Sequence, residues 1–190
     1  MKKTKKIDRL LKLNCGGCSS CCTDLFVELT ASDIRRLAKH TKLSADSFVK
    51  LYSGADIESD DDNDWINFSY GKRIMGLKKK KGRCFFLSEN LRCTAYEARP
   101  MTCRSFPINA VYDEDDELVD LDLADSVIEK EITCKCSPEK NRPLKKVMEI
   151  ITQTEKETDS YCRRIKKWNS LPEQGGKKDF FQFLGIISGD

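Results

Sequence analysis

The chain has 190 residues, of which 39% are apolar and 34% charged, with a formal net charge of +3. That length suits one domain with its own core, but the polarity keeps the core modest, so the ten cysteines are expected to supply further fastening. Basic and acidic runs offset each other, which argues against nucleic acid, and no stretch approaches the roughly 18 apolar residues of a membrane span.

Met1 to Lys6 has the basic character that opens a signal peptide, yet the residues after it are interrupted by Asp8, Arg9 and Lys12. Export is therefore not expected, and the chain is assigned to the cytoplasm, where cysteines stay reduced or metallated. Residues 1–14 read as a basic arm with a short helix that puts Ile7, Leu10 and Leu11 on one face. Next comes Cys15-Gly16-Gly17-Cys18-Ser19-Ser20-Cys21-Cys22, four thiols in eight residues. Two C-x-x-C steps let neighbouring sulfurs converge on a metal, and the glycine pair lets the backbone curl around it. Adjacent side chains point apart, so the Cys21-Cys22 pair suits a polynuclear iron–sulfur cluster or two neighbouring ions better than one mononuclear site.

Residues 26–29 are a strand candidate. Thr30 or Ser32 then caps a helix over residues 33–40, and residues 44–52 read as a second short helix capped by Ser44 and ended by Gly54. After an acidic loop, residues 65–70, 74–77 and 84–87 fit three strands, the last two joined by a lysine-rich turn. Residues 96–106 are irregular or carry short helical turns. Residues 108–112 and 118–123 form a hairpin candidate, and residues 125–132 a helical one. Pro143 opens the longest helix, to about Trp168, with Val147, Ile151, Tyr161 and Ile165 at helical spacing. A short apolar helix follows around Phe180 to Ile187 and is expected to pack on the core or meet a partner protein. The fold is expected to be α+β: one domain over residues 1–190, with a small antiparallel β core of about four strands, a metal-binding core over residues 13–136 and C-terminal helices over 143–190.

Cys84, Cys93 and Cys103 follow the first cluster, then Cys134, Cys136 and Cys162. The one histidine, His40, lies away from every cysteine in sequence, so all-sulfur coordination is expected, which suits zinc or an iron–sulfur cluster. Such centres are anionic, and Arg99 and Arg104 are favoured to offset that charge, while Arg92 reads equally well as a surface arginine.

The spacing now resembles a known family. Cys15-x-x-Cys18-x-x-Cys21-Cys22 precedes Cys84-Phe85-Phe86-Leu87, then Cys93-Thr94-Ala95-Tyr96-Glu97-Ala98-Arg99-Pro100-Met101-Thr102-Cys103-Arg104-Ser105-Phe106-Pro107. This resembles the YkgJ-type cysteine cluster family, the zinc- or iron-chelating CxxCxxCC domain, over roughly residues 13–136. The resemblance implies metal-binding roles for Cys15, Cys18, Cys21, Cys22, Cys84, Cys93 and Cys103. It implies a further ligand at Cys134 or Cys136, with Cys134 preferred. Cys162 matches no motif position and reads as a packed helix thiol.

The resemblance leaves the activity open. The first reading is a structural or redox iron–sulfur or zinc centre. Related proteins with this cluster include flagellin lysine N-methylases, so the second is an enzyme using the centre in group transfer. The third is a metal-handling or interaction module with a protein partner. No catalytic residue is assigned, since the chain carries no glycine-rich cofactor loop after a strand, no Ser/His/Asp set and no phosphate loop.

Overall fold

Helical and alternating apolar periods both occur in this chain, and a computed structural model turns them into helices among small antiparallel sheets, an α+β fold. It describes residues 5–13, 15, 18–59, 61–115, 117–128 and 142–187. In order these form α1 (Lys5–Leu10), α2 (Ser20–Thr23), α3 (Ala31–Thr41), α4 (Ala45–Phe48), β1 (Val49–Tyr52), β2 (Ile66–Phe68), β3 (Gly71–Leu77), β4 (Lys79–Lys80), β5 (Arg83–Cys84), α5 (Met101–Ser105), β6 (Ile108–Tyr112), β7 (Leu118–Leu123), α6 (Asp125–Ile128), α7 (Leu144–Asn169) and α8 (Lys177–Phe183). The chain divides into two compact units. The first comprises Met1–Leu25, Lys81–Thr94 and Met101–Thr154, and the second Phe26–Lys80, Ala95–Pro100 and Glu155–Asp190.

The core of the first unit is built where three amphipathic pieces meet. Ile7, Leu10 and Leu11 from α1 and the turn after it pack with Ile108 and Leu121 of the β6–β7 hairpin and with Val147 and Ile151 of α7. Lys6 adds ion pairs to Asp120 at 2.8 Å and Asp122 at 2.9 Å. Exposed pairs of this kind are screened by water and add little, whereas each fully buried aliphatic side chain contributes about 1.5–3 kcal/mol. The apolar face, not the charge, therefore docks α1, and the basic arm is a packed helix from Lys5 onward.

In the second unit β3 is the central strand. Antiparallel β1 pairs with it through Val49↔Leu77 and Leu51↔Met75, and antiparallel β2 through Ile66↔Arg73 and Phe68↔Gly71. Residues 27–29 also join β3: the Leu29 amide donates to the Met75 carbonyl at 3.0 Å, and the Leu77 amide to the Val27 carbonyl at 2.8 Å. Thr30 caps α3 in a reciprocal box with Asp33. Buried Asp33 also accepts from Arg36, whose guanidinium grips both oxygens of buried Glu157 at 3.1 and 3.0 Å. The β2 edge is closed by side chains of α7. Asn169 accepts from the Asn67 amide and donates to the Trp65 carbonyl, both at 2.8 Å, while the Trp168 indole donates to the Asn67 carbonyl. Phe180 of α8 is fully buried and meets Phe68 and Trp168 edge-on.

Three expectations need correction. Residues 44–52 are not one helix: α4 stops at Phe48 and β1 begins at Val49, because pairing with β3 gives Val49, Leu51 and Tyr52 partners that a lone helical turn lacks. The strand expected over residues 84–87 is only Arg83–Cys84, after which the Leu87 amide turns back to the Cys84 carbonyl at 2.9 Å. Residues 26–29 contribute a single bridge, Glu28↔Gly76, rather than a full strand. The β6–β7 hairpin and the start of α7 one residue after Pro143 follow the expected boundaries. The helix expected over residues 125–132 is described to Ile128.

Candidate metal centre

Three separate segments of the first unit carry the candidate ligands. The first is the loop around Cys15 and Cys18, leading into α2. Ser19 enters that helix in the left-handed region (φ 64°) and its hydroxyl donates to the Cys18 carbonyl at 2.6 Å. The Cys22 and Thr23 amides then both donate to the Ser19 carbonyl, at 2.9 and 3.1 Å. The adjacent side chains do not point apart as expected: this one turn stands Cys21 and Cys22 side by side, with their sulfurs 3.9 Å apart.

The second segment is a short out-and-back loop. Leu87 and Cys93 pair as an antiparallel bridge, and the Thr94 amide donates to the Phe86 carbonyl at 2.8 Å, so the chain that leaves at Cys84 returns at Cys93. The third is α5, which follows Pro100 at a position suited to opening a helix and carries Cys103. Cys15 is exposed, and Cys18, Cys21, Cys22, Cys84, Cys93 and Cys103 are half-buried.

Electrostatics tie some of these sulfurs together. The Cys22 thiol at its side, followed by burial and by the nearby Cys103 and Cys15 sulfurs, holds the Cys21 proton far above the usual thiol range. Burial pushes Cys84 up to about 11, with the Cys22 and Cys93 sulfurs adding to it. The backbone amides of Phe86 and Leu87 near the sulfur oppose that rise. Such amides ease negative charge on a ligating sulfur. Among the described residues, no group of three His, Cys, Asp or Glu side chains stands in ligating geometry. The thiols are gathered without being closed. Their chemistry fits a soft cation: clustered thiolates repel one another when ionised, and a shared metal removes that repulsion.

The other residues singled out in the sequence fall in different surroundings. Arg104 lies in the last turn of α5, beside Cys103. Arg99 belongs to the second unit, where its guanidinium stacks 3.7 Å from the centre of the Tyr96 ring and its Nε donates to the Tyr96 carbonyl. Arg92 closes the out-and-back loop through its backbone, its carbonyl accepting from Ser88. His40 and Cys162 are also in the second unit, on α3 and α7. Burial, with Glu28 and Asp64 nearby, raises the Cys162 thiol. Cys134 and Cys136 lie outside the described residues.

Sequence reasoning missed Arg142, whose guanidinium donates to the Arg104 carbonyl at 2.8 Å and whose amide donates to the Leu11 carbonyl at 2.7 Å. Both acceptors are backbone carbonyls, which leave no residue-type signature to find.

No curated protein and no solved structure matches the chain significantly. A family model does, over residues 14–135, with the description "CxxCxxCC: Putative zinc- or iron-chelating domain". That span takes in all three ligand-bearing segments and most of the chain. The gathered thiols and the matched span agree, and the chain belongs to the CxxCxxCC family.

Proposed function

We propose that this chain holds a metal centre of cysteine thiolates, zinc or an iron–sulfur cluster, that serves a structural or redox role. One observation carries the reading: within a single unit the Cys21 and Cys22 sulfurs stand 3.9 Å apart, Cys22 raises the Cys21 thiol, and burial raises the Cys84 thiol with the Cys22 and Cys93 sulfurs adding to it. A cation among them would turn that repulsion into cohesion, and its binding free energy would become folding free energy. The candidate ligands are Cys15, Cys18, Cys21, Cys22, Cys84, Cys93 and Cys103, with Cys134 or Cys136 as a further one. The Phe86 and Leu87 amides would support the Cys84 thiolate. Bound zinc would lock the site, and a bound iron–sulfur cluster would add electron transfer. Metal thiolates need reduced sulfur, so the reading includes a cytoplasmic location.

The test is elemental analysis with a visible spectrum on protein purified without oxygen. About four irons with acid-labile sulfide and broad visible absorption identify a cubane cluster, whereas one or two zinc ions and no colour identify zinc. Cys93→Ser is expected to lose metal and the fold of the first unit together. Wild-type protein that retains no metal and takes up neither zinc nor iron overturns the reading.

A further inference from the structure

The structure assigns Arg142 as the residue that positions the Cys103 sulfur against the first cysteine loop. This rests on the metal-centre reading above and adds to it a side chain outside the cysteine motif.

α5 spans Met101–Ser105, a little over one turn. A helix this short has little cohesion of its own, and its last carbonyls have no partner within it. One of them, at Arg104, immediately follows Cys103. The Arg142 guanidinium donates to that carbonyl at 2.8 Å. A charged donor on a backbone carbonyl makes a stronger bond than a neutral one, and a cation also suits the negative end of a helix.

The same residue holds a second piece. Its amide donates at 2.7 Å to the carbonyl of Leu11, in the turn that ends α1. Leu11 stands four residues before Cys15, where the chain leaves the core for the CxxCxxCC loop. Leu11 is itself anchored by burial with Ile108, Leu121 and Val147. Arg142 therefore ties the base of the Cys103 turn to the anchored end of the segment that delivers Cys15. Pro143, directly after Arg142, has no amide to donate and fixes its own φ, so the chain entering α7 leaves Arg142 little backbone freedom.

The experiment compares wild type, Arg142→Ala and Arg142→Lys, each loaded with cobalt(II) and then competed with zinc. Arg142→Ala keeps the backbone bond to Leu11 and loses the bond to Arg104. It is expected to weaken metal affinity about 10- to 100-fold, the range found when a group orienting a ligand is removed. The thiolate-to-cobalt absorption should lose intensity, and Cys103 should become the thiol most open to alkylation in the loaded protein. Arg142→Lys keeps a cationic donor and should recover most of the spectrum. In combination with Cys103→Ser, Arg142→Ala should cost little further affinity, because the residue acts through that sulfur.

Equal loss of melting temperature in metal-free and metal-loaded protein, with spectrum and affinity unchanged, would show a purely architectural bond and overturn the assignment. Additive losses with Cys103→Ser would do the same. If Arg142→Ala does not fold, Arg142→Lys decides by the same readouts. Wild-type protein that binds neither cobalt nor zinc and carries no iron would overturn the metal centre and this assignment together. Wild type that loads while Arg142→Ala behaves identically overturns only the assignment.

Discussion

Glu28 shows what a single side chain does to this molecule. Burial, then the charges of Asp64, Asp33 and Asp61, push its carboxyl up to about 8. In the unfolded chain it titrates near the ordinary carboxylate value, so between about pH 4.5 and pH 8 the folded protein keeps a proton that the unfolded chain has released. Stability must then fall as pH rises through that window, the reverse of a salt-bridged carboxylate. Glu28→Gln removes the effect. The variant is expected to match wild type near pH 5 and to exceed it by roughly 2 kcal/mol near pH 8, less than the full linkage value because Glu28 is only half-buried and water screens part of it. Melting curves of both proteins across that range check this; a constant difference between them would contradict it. Nearby, the Tyr161 hydroxyl is buried with no hydrogen-bond partner among the described residues, and burial followed by the Glu28 charge raises its pKa well above the phenol range. Removing the negative charge at Glu28 should ease that site as well.

At the scale of elements, the second unit depends on how closely residues 26–29 approach β3. A Cβ on Gly76 would come within 2.3 and 2.6 Å of the Phe26 ring and 3.1 Å of the Val27 carbonyl. The Phe26 ring is held edge-on against Tyr52 at 5.0 Å, and the Tyr52 hydroxyl donates to the Leu77 carbonyl. Gly76→Ala must displace that ring or spread the strands, and is expected to cost about 1–3 kcal/mol, or roughly 2–12 °C in melting temperature. An unchanged melting point would mean that the ring moves freely. This contact also marks where the sequence stopped being readable. The β6–β7 hairpin was legible because its signal is local, apolar residues on both sides of an acidic turn, whereas the cap of α3 was narrowed only to Thr30 or Ser32 and falls on Thr30. Whether residues 49–52 form strand or helix depends on β3, more than twenty residues away, and their apolar pattern suits both. The candidate centre divides in the same way. Its thiols were legible from spacing, but the amides at Phe86 and Leu87 and the grip of Arg142 come from backbone groups that every residue carries.

For the whole molecule, the division into two units makes metal removal a selective perturbation. Every described candidate ligand belongs to the first unit, while the second has its own sheet, its Arg36–Glu157 pair and its aromatic cluster. Stripping metal with a chelator should expose the amides of Ala124 and Arg142 to hydrogen exchange, and leave those of Leu29 and Leu77 protected. Uniform loss of protection across both pairs would show that the centre holds the entire chain rather than one unit.

The layout of the first unit also has a consequence in time. Its cysteine-bearing segments flank most of the second unit in sequence, and sixty-two positions separate Cys22 from Cys84. At about 5–20 residues per second, a ribosome needs roughly 3–12 s to cover that gap. For those seconds the nascent chain presents Cys15, Cys18, Cys21 and Cys22 with none of their later sulfur neighbours yet made. The metal supply around the ribosome, rather than around the finished protein, is what these four thiols meet first.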